Sequence, residues 1–212
     1  MPADLSLFFS ILRTLETIEA PYMIIGAFAA TVYGSTRVTH DIDMVVDLSD
    51  THIHALAAAY TPPRFYADPE QMRSSILHGI MFNIIDTNRG EKADLMPLTM
   101  TAAYRYAFQR RIRQPIELPD GAMMTIWCAR REDVIVGKLM AWAEGRSSKH
   151  QSDIYEMLVF HYLDADPTLS DDLDEAYVLA QAQSLGDDVA NFWLALRAAA
   201  QAATKQASDR TQ

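Results

Sequence analysis

An α+β fold is what the sequence predicts, with a mixed β-sheet flanked by helices and a helical C-terminal portion. Two observations predict it. The first third alternates helix-period and strand-period segments, and two further hairpin patterns follow. After Arg130 the strand signals vanish and apolar residues recur at three and four. The resulting division is 1–129 as the core, 130–204 as the helical portion packed on it, and 205–212 as a flexible tail.

Each element has its own signal. From Asp4 to Glu19, Leu5, Phe8, Phe9, Leu12, Leu15 and Ile18 share one helical face, and Pro21 ends the run. Tyr22–Ile25 reads as a short buried strand, Gly26 breaks it, and Ala27–Tyr33 reads as a helix closed by Gly34. Asp41–Asp47 is the second strand, and Ser49 caps a helix reaching about Tyr60. Asp68 followed by Pro69 starts a helix to Leu77. Met81–Asp86 and Lys92–Met96 flank the turn Asn88-Arg89-Gly90. A helix over Thr99–Gln109 precedes the hairpin Arg113–Leu118 and Met123–Cys128, and helices then run to about Ala203.

Composition narrows the class. The chain has 212 residues, 50% of them hydrophobic and 22% charged, so it carries enough apolar side chain for a real core. A net charge of −10 opposes bulk binding to DNA, and a polyanionic ligand needs a local site. The single Cys128 has no partner for a disulfide or a zinc site, which suits a core position and a reducing cytoplasm. Leu5–Leu12 lacks a preceding basic segment, and Arg13, Glu16 and Glu19 follow at helical spacing, so it reads as helix and not as signal peptide. No stretch approaches the roughly 20 apolar residues of a membrane span. No Ser-His-Asp order or nucleophile elbow suggests a hydrolase, and His52 and His54 are misplaced for zinc on a helix.

The segment Asp41-Ile42-Asp43 carries the most chemistry. With a period of two, Asp41, Asp43 and Val45 share a face, and two carboxylates so placed can reach one hard cation. Aspartate is disfavoured in strands, and such local conflicts concentrate at functional sites. An isolated pair of this kind is more often the polar side of a solvated edge strand. Gly26-Ala27 sits at a strand-to-helix junction suited to a phosphate, and Asp94 can supply a third carboxylate if its strand pairs beside the Asp41–Asp47 strand. Lys138 falls on or beside an apolar helix stripe, where an inward lysine wants an anion. Asp153 shares a stripe with Met157 and Phe160. Arg105, Arg110, Arg111, Arg113, Arg130 and Arg131 outnumber nearby acids and could steer a nucleotide or an RNA end, although such runs are usually solvated faces.

The stretch Tyr22–Leu48 resembles the active-site signature of the nucleotidyltransferase superfamily. In particular it is similar to small bacterial nucleotidyltransferase-like proteins related to the minimal nucleotidyltransferases and to abortive-infection transferase toxins. Gly26, Gly34, Arg37, Thr39, Asp41 and Asp43 match in type and spacing, while Ala27 replaces a Ser or Gly and Tyr33 a His. Phe82–Asp86 with Lys92–Leu95, then Glu132–Trp142, Gly145 and Ser148–Ile154, extend the likeness over residues 12–160.

The resemblance implies transfer of a nucleoside monophosphate from a nucleoside triphosphate to a hydroxyl acceptor. Asp41, Asp43 and Asp94 would be the catalytic and metal-holding residues for Mg²⁺ or Mn²⁺. Gly26, Ala27, Arg37, Lys138 and Asp153 would serve the nucleotide, with Asp153 as the resting partner of Lys138. The acceptor is open among small molecules, RNA ends and proteins, and no membrane partner is expected. The competing expectation is a non-catalytic nucleotide-binding or interaction module, including a toxin–antitoxin component, that keeps the scaffold; Ala27 is its best support.

Overall fold

A computed structural model describes residues 6–37, 43–118, 120–163 and 173–210. The chain divides into two compact units, residues 1–28 with 38–129 and residues 29–37 with 130–212, and the division falls inside one helix.

The first unit holds the sheet. Its strands are β1 (Tyr22–Ile24), β2 (Asp43–Val46), β3 (Phe65–Tyr66), β4 (Phe82–Asp86), β5 (Glu91–Pro97), β6 (Ile112–Glu117) and β7 (Met123–Cys128). They lie in the order β3-β4-β5-β2-β1-β7-β6, with β2 and β5 parallel, β1 and β7 parallel, and the other neighbours antiparallel. The expected mixed α+β class is therefore observed. β3 has no counterpart in the sequence reading, because two residues are too few to show a period.

Helices α1 (Ser6–Thr17), α3 (Asp50–Ala59), α4 (Pro69–His78) and α5 (Ala102–Gln109) belong to this unit. Their ends follow local chemistry. Ser49 and His52 cap α3 reciprocally, and Asp68 accepts from the amides of Glu70 and Gln71 at the start of α4. α5 begins later than the expected Thr99, since Thr101 is its cap and the Thr99 hydroxyl donates instead to the Ile76 carbonyl at 2.7 Å. Leu12, Leu15, Met23, Ile24, Met44, Val45, Leu56, Ile84, Leu95, Ile126 and Cys128 are fully buried. The burial of Val45 as well as Met44 means that β2 is covered on both faces, leaving Asp43 at its half-buried start.

Helix α2 (Gly26–Val32) carries the chain into the second unit. There α6 (Arg131–Gly145), α7 (Ser148–Tyr162), α8 (Glu175–Leu185) and α9 (Asp187–Arg210) pack around Ile135, Leu139, Ile154, Met157, Val178 and Trp193. α9 runs on to Arg210, past the 204/205 boundary expected from sequence. Gly34 has φ +96°, and a Cβ there would lie 2.2 Å from the Phe160 ring, so α7 approaches the backbone at a point only glycine can occupy. Among the described residues no helix is long and apolar enough to cross a membrane.

Candidate functional site

Asp43 opens β2 and pairs in register with Asp94 on β5. Register partners on adjacent parallel strands sit about 4.8 Å apart and project to the same face, so the two carboxylates are neighbours. On the other side of β5, Asn83 of β4 is the register partner of Asp94, and its side-chain amide donates to Asp94 Oδ1. A polar row therefore crosses three strands, from Asp43 through Asp94 to Asn83. Lys92, two residues before Asp94 and so on the same face, places its Nζ 3.2 and 3.1 Å from the two carboxylate oxygens.

Gly26 explains how Asp43 fits. Its φ is +70°, and a Cβ at this position would stand 2.2 Å from Asp43 Oδ2. The carboxylate occupies the space that a side chain would fill, so a substitution here would displace the Asp43 carboxylate in addition to straining the left-handed turn. Tyr104 of α5 shares this surroundings: its hydroxyl donates to Met96 Sδ at 3.4 Å. Burial pushes the Tyr104 phenol up, and the negative charge of Asp43 pushes it further.

The two adjacent carboxylates are donors of the kind a divalent cation takes. Carboxylate oxygens are hard ligands, and the cradle left by Gly26 lets one of them lie against the backbone. Among the described residues no group of three His, Cys, Asp or Glu gathers around one point, and Asp41, with Thr39, lies outside those residues.

Lys138, Asp153 and Arg37 come together in the helical unit. Lys138 is 5% exposed and Asp153 1%, and the ammonium of Lys138 donates to Asp153 Oδ2. Arg37 adds a two-pronged contact, Nε to Oδ1 at 2.9 Å and Nη2 to Oδ2 at 3.1 Å, and Ser35 donates to Oδ1 at 3.2 Å. The next residue, Thr36, donates its amide to Glu156 Oε2 at 2.6 Å and its hydroxyl at 3.1 Å. Burial alone would raise the Asp153 pKa, but Arg37 and Lys138 outweigh it and hold the carboxyl below its usual range. His150 is pushed the other way, down from the ordinary histidine value, by burial and by Lys138 and Lys149.

Sequence reasoning named Lys138 and Asp153 but missed how Ser35 and Arg37 complete them. It also passed over Asn83 and Lys92. Lys92 was legible from its alternation with Asp94, and Asn83 from counting back along the hairpin from the Asp86–Glu91 pair. The arginines at 111 and 113 turn out to be engaged. Arg111 lies 4.0 Å from the Phe108 ring centre and 4.7 Å from that of Trp127, while Arg113 reaches Glu16 at 2.6 Å. Arg130 and Arg131 belong to the other unit, where Arg131 is buried.

The chain matches no protein-family model and no curated protein. Solved structures similar to it include nucleotidyltransferase-like proteins. An antigenic nucleotidyltransferase-like protein from Paracoccidioides brasiliensis shares 13% identity, with 90% of this chain and 92% of that one covered and a TM-score of 0.47. The antibiotic-resistance factor ANT(2'')-Ia shares 17%, with 100% and 98% covered and a TM-score of 0.45. JHP933 from Helicobacter pylori shares 15%, with 97% and 92% covered and a TM-score of 0.44. These are distant likenesses in both sequence and backbone.

Proposed function

We propose that the chain is a metal-dependent nucleotidyltransferase, moving a nucleoside monophosphate from a nucleoside triphosphate to a hydroxyl acceptor with release of pyrophosphate. The observation that carries this reading is the register pairing of Asp43 with Asp94 on one sheet face, with the Asp43 carboxylate lying against the left-handed backbone of Gly26. Asp41, Asp43 and Asp94 would hold Mg²⁺ or Mn²⁺, which supplies charge neutralisation to the triphosphate. Asp94, oriented by the Asn83 amide, would accept the proton of the acceptor hydroxyl. That oxygen forms a bond to the α-phosphorus as the bond to pyrophosphate breaks. The backbone at Gly26 and Ala27 would approach the phosphates closely, since neither residue carries a side chain beyond Cβ. Positioning and charge then supply most of the rate.

Arg37 acts in this reading as a positioning residue, because both prongs of its guanidinium are committed to Asp153. Lys138 would meet a phosphate only by exchanging Asp153 for it.

Pyrophosphate release from each nucleoside triphosphate, with Mg²⁺ or Mn²⁺, tests the reading together with calorimetry of Mg-ATP and Mg-CTP on wild type and Asp43→Asn. Wild type should bind and turn over, and Asp43→Asn should lose both while staying folded. Equal binding by the two proteins removes the carboxylate role. Binding without pyrophosphate release transfers support to the non-catalytic module, which Ala27 favours.

A further inference from the structure

Lys92 is placed where the proposed site needs no permanent cation. Its ammonium touches both oxygens of Asp94, yet its side chain is 51% exposed, against 14% for Asp94. Lysine is a compact charge on a flexible four-carbon stem, so it can leave a carboxylate at little cost, unlike a forked arginine. A pair whose cation stands half in water contributes little to stability.

Asp94 has a second donor, the Asn83 side-chain amide, on Oδ1. The orientation of the carboxylate and the neutralisation of its charge are thus assigned to different side chains. Asn83 is neutral and sits on the neighbouring strand, whereas Lys92 is charged and on the same strand.

We propose that Lys92 is a resident counter-ion that competes with the divalent cation for Asp94, so that metal affinity in the absence of nucleotide is set low by the chain itself. This inference rests on the nucleotidyltransferase reading of the same carboxylates. A divalent cation at Asp94 takes the oxygens that Lys92 now contacts, and two like charges cannot share that carboxylate without repulsion. The ammonium is displaced into solvent or onto whatever anion accompanies the metal, and a metal–triphosphate complex brings one. Metal delivered with a triphosphate therefore meets less opposition than metal alone.

Binding of Mn²⁺ alone to the full chain, followed by electron paramagnetic resonance at fixed pH and salt, tests this without any turnover. Lys92→Gln keeps the stem length and removes the charge, and it should tighten Mn²⁺ binding by about three- to tenfold. Lys92→Arg, with a larger and better anchored cation, should leave binding as weak as wild type or weaker. Arg89→Gln removes a neighbouring charge that pairs with Glu91 instead, and should change affinity by less than Lys92→Gln. In an Asp94→Asn background, Lys92→Gln should have no further effect. Unchanged or weaker binding in Lys92→Gln, or an equal gain in Arg89→Gln, overturns the proposal. If Mn²⁺ binding is lost in Asp43→Asn but ignores Lys92, the inference alone fails; if Asp43→Asn and Asp94→Asn bind as wild type does, the reading beneath it fails as well.

Discussion

Two lysine–aspartate pairs, chemically identical, sit in opposite circumstances. Lys138–Asp153, in the helical unit, is almost wholly excluded from solvent, and Asp153 receives further donors from Arg37 and Ser35. Lys92–Asp94, in the sheet unit, has its lysine half in water and its aspartate beside a second carboxylate. Water sets the difference. A buried pair is costly to form and far more costly to break, because removing either partner strands the other charge away from solvent. An open pair exchanges its partner easily and contributes little to stability. Burial makes Asp153 a tie between α7, α6 and the segment around residue 37, whereas the exposure of Lys92 leaves the largely covered Asp94 with a partner that water can replace.

The contrast is tested most severely by the amide replacements. Asp153→Asn should cost about 3–5 kcal/mol in urea unfolding, since it leaves Lys138 and Arg37 facing a neutral group. Asp43→Asn should change stability by about 1 kcal/mol or less, and can raise it by relieving repulsion from Asp94. Similar losses at both positions would dissolve the distinction. Lys138→Met added to Asp153→Asn should recover part of the loss, because the pair is then removed together.

Next in size is Gly26→Ala. The left-handed backbone and the 2.2 Å approach to Asp43 Oδ2 should together cost about 1–3 kcal/mol. In an Asp43→Ala background the steric part disappears, and thermal melts of the two single variants and the double variant measure that coupling.

Acid titration sharpens the comparison further. The native Asp153 pKa is depressed, so its contribution to stability is fully present above the ordinary carboxylate value of about 4 and is lost as pH falls through the lower native value. Urea midpoints should therefore fall more steeply in wild type than in Asp153→Asn below about pH 4. A parallel pair of curves would count against the coupling. The smallest expected effect belongs to Ala27→Ser: one added hydroxyl near the phosphates should raise Mg-nucleotide affinity by about tenfold or less, read by calorimetry, with the fold unchanged.

How much of this was legible in the sequence depends on the range of each contact. Strand alternation alone sets Asp43 and Val45 on one face, and the helix stripe alone turns Lys138 inward. Pairing β2 with β5 needed a guess about topology, because parallel strands are joined through long connections that leave no local trace of register. The grip of Arg37 on Asp153 is hidden for the same reason: it joins segments distant in the chain, and nothing near residue 37 names the partner. Gly26 was readable as a turn, but the carboxylate filling the place of its Cβ belongs to a later strand. β3 is defined by its pairing with β4 rather than by its own two residues.

The interlock of Gly26 with Asp43 also bears on how such a sequence can drift. A side chain at position 26 would have to hold the left-handed conformation and also push the Asp43 carboxylate off the backbone. The two positions are thus coupled in one direction: a side chain entering at 26 displaces the carboxylate at 43, whereas a change at 43 leaves the glycine undisturbed. Among relatives of this chain, those that keep the acid at 43 should accordingly keep glycine at 26.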